Sequence, residues 1–180
     1  VYKRQILQYL ELTQHTHISH ITSLSRIDEE RYVRLDSFTV RSLELTRSMQ
    51  DGGCSLIDVI DRTCSPMGAR MLNRWVCFPL RNAADINKRL DVVEEFFKDT
   101  SLREIIDENT NGVGDLERIT AKVATGRVSP REMVQLKNAL LCMQPIKDAC
   151  ERSENKTLAL MADRIDACKE LSDRLEMEIE

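Results

Sequence analysis

Residues 56–79 read LIDVIDRTCSPMGARMLNRWVCFP. Two stretches with helical apolar patterning are separated by the run from Thr63 to Gly68, and the reading of that interruption decides the fold. Ser65 can accept a hydrogen bond from first-turn amides. Pro66 fits the first helical position, where its missing N–H has no helical partner. Met67, Met71, Trp75 and Phe78 then share a broad face, and Pro79 enforces the exit. The interruption is a boundary between two helices nearly adjacent in sequence. Capping does not explain Gly68. A glycine in a first turn costs helix stability, so it is expected to admit close approach of another helix.

Outward from this boundary, one helix follows another. Toward the N-terminus, Ile6, Leu7 and Leu10 begin an apolar face after a short polar start. The stretch 27–35 is the one segment that could be extended, and its charged centre keeps it short and exposed. Asp36 can cap a helix carrying Phe38, Leu45 and Met49, ended by Gly52 and Gly53. Asn82 caps the next helix, whose face is Ile86, Leu90, Val93 and Phe97 at spacings of 4, 3 and 4. Ser101 and Glu104 form a capping-box pattern, and Asn111 with Gly112 closes that element. Leu116, Ile119 and Val123 make another stripe, ended by Gly126. Ser129, Pro130 and Glu132 supply cap, first-turn proline and acid for a helix bearing Met133, Leu136, Leu140 and Met143. The last stripe, Leu158, Met161, Ile165, Cys168, Leu171, Leu175 and Ile179, predicts one helix running to the end of the chain. The expected fold is all-α: a multi-helix core bundle with the start of a long helix, and at most one short extended segment near residues 27–35.

Composition agrees. Of 180 residues, 42% are hydrophobic and only 4% aromatic, a profile poor in strand formers. The formal net charge of −4 argues against a generally basic, nucleic-acid-coating surface. One local exception lies between Asp61 and Arg89, where Arg62, Arg70, Arg74, Arg81, Lys88 and Arg89 face two acids, a net of +4. A solvated helix face is the plain reading of that patch. No stretch approaches the roughly 20 apolar residues of a membrane span, and no signal-peptide core is present, so the expected compartment is the cytoplasm. Cys54, Cys64, Cys77, Cys142, Cys150 and Cys168 are scattered without a CxxC pair. They read as reduced, mostly buried small hydrophobes.

The sequence offers no catalytic constellation. It has no GxxxxGK[ST] phosphate loop, no HExxH and no GxSxG. His15, His17 and His20 are the only histidines. His17 and His20 have a spacing that could ligate a metal, but the surrounding Thr13, Thr16 and Ser19 suggest a helix end or turn. Asp115 and Glu117 adjoin Arg118. Carboxylates at i and i+2 on a helix do not face each other, so a structural ion pair is the expectation there. No catalytic, cofactor-binding or metal residue is assigned.

The blocks LDSFTVRSLEL (35–45), SLIDVIDRTCSPMGARMLNRW (55–75), FPL (78–80), GDLERITAKVA (114–124) and VSPREM (128–133) resemble the core region of the MutS family of DNA mismatch recognition proteins. Residues 6–14 are similar to the start of that region. Ser42 replaces the usual asparagine, Glu132 the usual aspartate, and Ser65 stands where threonine is common. Residues 1–5, VYKRQ, fit the family poorly and are expected to be foreign to the natural gene.

The resemblance implies a helical core domain over 1–150 and, over 151–180, the truncated beginning of a lever helix. It implies that the mismatch-reading domain precedes this chain, and that the DNA clamp and the ATPase follow it. ATP and Mg are expected in the full-length protein and not here. This segment would relay between ATPase and clamp, and would not itself be an enzyme. The expected partners are the connector, clamp and ATPase of the same chain, mismatched double-stranded DNA through the full-length protein, and a second copy in a homodimer. Two other classes stand beside this reading. An independent helical protein-interaction scaffold explains the periodicity but not the five blocks. An enzyme using the three histidines needs a metal that the sequence gives little reason to expect.

Overall fold

A computed structural model of the chain describes Gln5, Gln8, Tyr9, Leu12 and residues 31–179. The three histidines lie outside the described residues. Nine helices follow one another among residues 31–179: α1 (Ser37–Ser42), α2 (Leu56–Ile60), α3 (Pro66–Cys77), α4 (Ala83–Lys98), α5 (Thr100–Val113), α6 (Leu116–Ala124), α7 (Pro130–Arg152), α8 (Lys156–Ala162) and α9 (Lys169–Glu178). The fold is all-α, as expected. The one extended feature among the described residues is an isolated antiparallel bridge between Tyr32 and Leu80. No described helix is long and apolar enough to cross a membrane.

Local signals start most of these helices. Asp36, Ser65, Asn82 and Ser129 each accept a hydrogen bond from a first-turn amide, as their side chains and positions predict. Ser129 and Glu132 close a full capping box, and so do Ser55 and Asp58. At α5 the cap is Asp99, accepting from the Leu102 amide, and not Ser101. That helix runs through Gly112 and ends at Gly114, whose φ of 65° terminates it. The helix capped by Asp36 is also shorter than expected: it stops at Leu43, and Glu44 turns with a φ of 48°.

The core is built around α7. One cluster joins Leu102 and Val113 of α5 to Ala139, Ile146, Ala149 and Cys150 of α7 and Leu158 and Ala162 of α8, with Met67, Val92 and Phe96 packed against it. A second joins Ile119 of α6, Leu136 and Leu140 of α7 and Leu175 of α9. Pro145 lies inside α7 and has no N–H to offer the Leu141 carbonyl. The helix continues because buried side chains anchor both sides of it: Leu136, Ala139 and Leu140 before, Ile146, Ala149 and Cys150 after. By contrast, none of α1 to α4 carries a fully buried residue.

Two expectations about packing are corrected. The stripe from Leu158 to Ile179 is not one helix. It breaks after Ala162 and resumes at Lys169, with Cys168 in the left-handed region at φ 46°. The break lets α9 fold back so that Leu175 enters the second cluster, leaving Leu171 exposed. Gly68 does not admit another helix either. A Cβ there would meet Ser65 Oγ at 3.2 Å and Thr63 Cβ at 3.3 Å, so its closeness is to its own cap.

Between α6 and α7, Lys122 pairs with Glu132, and the Glu132 carboxylate also accepts from the Ser129 N–H and hydroxyl. Lys122 first, then the Ser129 amide, holds the Glu132 carboxyl down from an ordinary 4.5 to about 2. A carboxyl depressed in the folded state contributes stability that is full above its unfolded value and lost as pH falls toward its folded one. Glu132→Gln keeps an amide that can complete the box but removes the charge facing Lys122. It should melt below the wild type at neutral pH, and the gap should close between about pH 4.5 and 2. A gap constant across that range in thermal melts would remove the charge from the explanation.

Candidate functional site at the junction of α3 and α6

The lobe formed by residues 31–81 is fastened to the helical bundle at the start of α3. Asp61 Oδ1 accepts from the Thr63 amide at 2.9 Å and its hydroxyl at 2.7 Å, which sets the turn into the helix. Ser65 Oγ accepts from the Gly68 amide at 3.1 Å and opens α3. Across the junction, Cys64 Sγ lies 3.3 Å from Thr110 Oγ1 on α5, and Met67 packs on the first core cluster.

Arg70 makes the main polar link, one turn into α3. Its Nη1 and Nη2 donate to Asp115 Oδ2 and Oδ1 at 2.9 and 2.7 Å, a bidentate fork. Its Nε and Nη2 also donate to Glu117 Oε2, at 3.1 and 2.6 Å. Asp115 is the N-cap of α6 and additionally accepts from the Arg118 amide. Arg70 beside it, helped by that amide, holds the Asp115 carboxyl below the usual range against an opposing desolvation. The two carboxylates in turn push the Arg70 guanidinium pKa upward, so the pair stays ionised.

A structural ion pair at Asp115 and Glu117 is what the sequence suggests, but its partner is Arg70, 45 residues away, and not the adjacent Arg118. The i, i+2 rule fails here because Asp115 is a cap with non-helical backbone and only Glu117 is inside the helix. The signal that could have found the link was present. Arg70 and Asp115 each sit in a block of the family resemblance.

The same geometry dissolves much of the basic patch. Arg70 is neutralised by two acids, and Lys88 pairs with Asp85 at 3.3 Å. The Arg89 guanidinium carbon lies over the Trp75 ring, 3.7 Å from its centroid. Among the described residues, Arg62, Arg74 and Arg81 are left without an ion pair. A groove of about 710 Å³ opens beside α3, lined by Tyr32, Met67, Met71, Trp75, Phe78 and Glu117. Arg70 and Arg74 line it as well, so its charged wall is the Arg70–Glu117 pair beside a second arginine. No group of three or more metal-ligating side chains occurs among the described residues. All six cysteines are free; only Cys150 is fully buried, and burial pushes its thiol pKa up.

The arrangement suits mechanical linkage: one charged fork and one apolar plug join a thinly packed lobe to a well-packed bundle. The family model for MutS domain III matches residues 38–179. The DNA mismatch repair protein MutS of Bacteroides fragilis is 57% identical over 174 residues, covering 97% of this chain and 20% of that protein. That of Porphyromonas gingivalis is 52% identical over the same shares, and that of Flavobacterium psychrophilum 42% over 94% of this chain and 20% of its own length. The chain thus spans about a fifth of the length of the curated relatives it matches. By the match over most of its length and by these identities, the chain belongs to the MutS family, within domain III.

Proposed function

We propose that this chain is the structural and allosteric core of a MutS-like mismatch recognition ATPase, relaying between ATPase and DNA clamp in mismatch repair. The observation that carries the reading is the Arg70 fork, which ties two family blocks together across the junction of lobe and bundle. In this reading the fork opens in a second arrangement, and an element with two arrangements can pass a bias from one site to another. Residues 1–150 form the core in this reading, and 151–180 begin the lever. The whole protein would work in the cytoplasm as a homodimer, with connector, clamp and ATPase as the partners of this segment.

ATP and Mg belong elsewhere in that protein. The sequence given contains no GxxxxGK[ST] phosphate loop, and that motif is what supports this placement. The isolated chain should therefore neither hydrolyse ATP nor prefer mismatched over matched duplex. Turnover by a contaminant-free sample would overturn that assignment. Any binding through Arg62, Arg74 and Arg81 should be indifferent to sequence and fade steeply as salt rises.

The relay is tested in the full-length protein from which the chain comes. Arg70→Met removes the fork and keeps the alkyl stem. ATP hydrolysis without DNA should persist, while ATP-triggered release from mismatched duplex should change. In the 180-residue chain, where Trp75 is the sole tryptophan, its fluorescence reports whether the same variant moves the junction. A moved junction with unchanged release would refute the relay.

A further inference from the structure

Phe78 lines two grooves. Besides the one beside α3, a second of about 580 Å³ opens between α1, the loop that follows it and the end of α3. Its lining is partly apolar: Leu35, Val40 and Phe78 are half-buried, and Met49 is exposed. Arg41 and Arg47 line the same groove, and neither side chain has an ion pair or a hydrogen bond. The acids close to them in sequence do not answer them. Asp36 caps α1 by accepting from the Thr39 amide at 2.7 Å, and Glu44 accepts from the Met49 amide at 2.7 Å. Each carboxylate is spent on nearby backbone, which leaves two guanidiniums on one groove without an anion. The imbalance extends over the lobe: residues 31–81 carry eight arginines and five acids, in a chain of net charge −4.

The lining is held in place by the fold. The Leu45 amide donates to the Val40 carbonyl at 3.1 Å, the Leu56 amide to the Glu44 carbonyl at 2.9 Å, and the Phe78 amide to the Arg74 carbonyl at 2.9 Å. The Phe78 ring meets Tyr32 edge-on, with centroids 6.2 Å apart. A ligand need not order this surface before it binds. Two positive groups are few for a nucleic-acid backbone, which is held through many phosphates. The apolar lining offers a free inorganic anion nothing. An acidic peptide with an apolar side chain uses both parts: its carboxylates make charge-assisted pairs with the guanidiniums, and its side chain covers Val40, Met49 and Phe78. The hydroxyls of Ser37 and Thr46 line the groove without a partner and remain for the peptide main chain.

We propose that the Arg41–Arg47 groove is a docking surface for an acidic peptide segment of a partner protein, anchored by one apolar side chain. The surface is independent of the Arg70 junction and of the relay proposed through it.

Binding is read from the methyl signals of Val40 and Met49 in the 180-residue chain, with an acetylated, amidated Glu-Glu-Phe-Glu-Glu pentapeptide as probe. The peptide should shift both signals. Its counterpart with glutamine for every glutamate should bind the same unaltered protein about tenfold more weakly or worse. Arg41→Gln with Arg47→Gln should weaken the acidic peptide by a similar factor, and should leave Tm nearly unchanged because both side chains are exposed and unpaired. Arg62→Gln with Arg81→Gln should leave the affinity as it is, which separates the groove from general attraction to a basic face. The full-length protein should bind the peptide as the chain does. Equal binding of the two peptides, equal binding by the wild type and the groove variant, or no binding at all overturns the proposal. Displacement of the peptide by inorganic phosphate or by a short DNA duplex at equal concentration assigns the groove to a free anion or to nucleic acid. Loss of binding in the full-length protein assigns it to another segment of its own chain. Each of these overturns it as well.

Discussion

Leu175→Ala should cost about 2–5 kcal/mol at neutral pH, the range for truncating a buried leucine in a packed core. Leu175 is only 6% exposed and reaches Ile119, Leu136 and Leu140 from a ten-residue helix at the end of the chain. No other described α9 residue inserts a fully buried apolar side chain; Cys168 and Ile179 at its two ends pack on the same cluster only in part. Its other features work against docking. Cys168 holds a left-handed backbone that suits glycine, and no side chain caps the helix. Ser172 Oγ is buried with no hydrogen-bond partner among the described residues. The loss on Leu175→Ala is therefore capped by the docking free energy of α9 itself, after which the helix leaves as a unit. Hydrogen exchange separates the two regimes. Amides of residues 170–178 should become fast while those of Leu136 and Leu140 stay protected. Cys168→Gly and Ser172→Ala should each slow exchange in α9 by relieving one of these burdens. Unchanged stability and exchange in Leu175→Ala would mean that α9 is not seated on α7.

What the sequence made legible, and what it hid, divides by range. Caps are local: a serine before a proline, or an asparagine before an amphipathic run, acts on amides two or three residues away. Asp36, Ser65, Asn82 and Ser129 were readable for that reason. Stripe direction is not local. Ile86, Leu90, Val93 and Phe97 have faultless helical spacing, yet the core takes Val92 and Phe96 instead. Periodicity states that a face exists and is silent on which of two faces finds the core. The C-terminal stripe misled in the same way, since 3 and 4 spacings persist through Asp163 to Cys168 although the backbone turns there. The break has no glycine or proline to announce it, and tertiary packing of Leu175 decides it. At the junction, the acids of the site were visible, but their arginine was 45 residues away, and only the two family blocks hinted at the meeting.

Close approach by glycine was expected at the wrong position, and the right one carries the second large effect. Gly112 lies in the last turn of α5, which packs along α7. A Cβ at Gly112 would sit 2.8 Å from Cys142 Sγ, closer than such atoms ever rest. Gly112→Leu should therefore force the end of α5 off α7 and cost about 1–3 kcal/mol or more by overpacking. The alanine variant sets two terms against each other. Replacing a glycine in the last turn gains at most about 1 kcal/mol of propensity, the helix-interior value, whereas the clash requires Cys142 to change rotamer beside the half-buried surface it now fills. Cys142→Ala removes the sulfur and should turn Gly112→Ala from neutral or harmful into stabilising. That reversal is the signature of a pairwise contact and is read from denaturant melts of the two single variants and the double. Gly68→Leu offers the contrast, because its nearest neighbours are Thr63 and its own cap, and no second helix stands in the way. If Gly112→Ala gains the same stability with and without Cys142, the sulfur moves freely. The glycine then answers to helix termination near Gly114 and not to the meeting of α5 with α7.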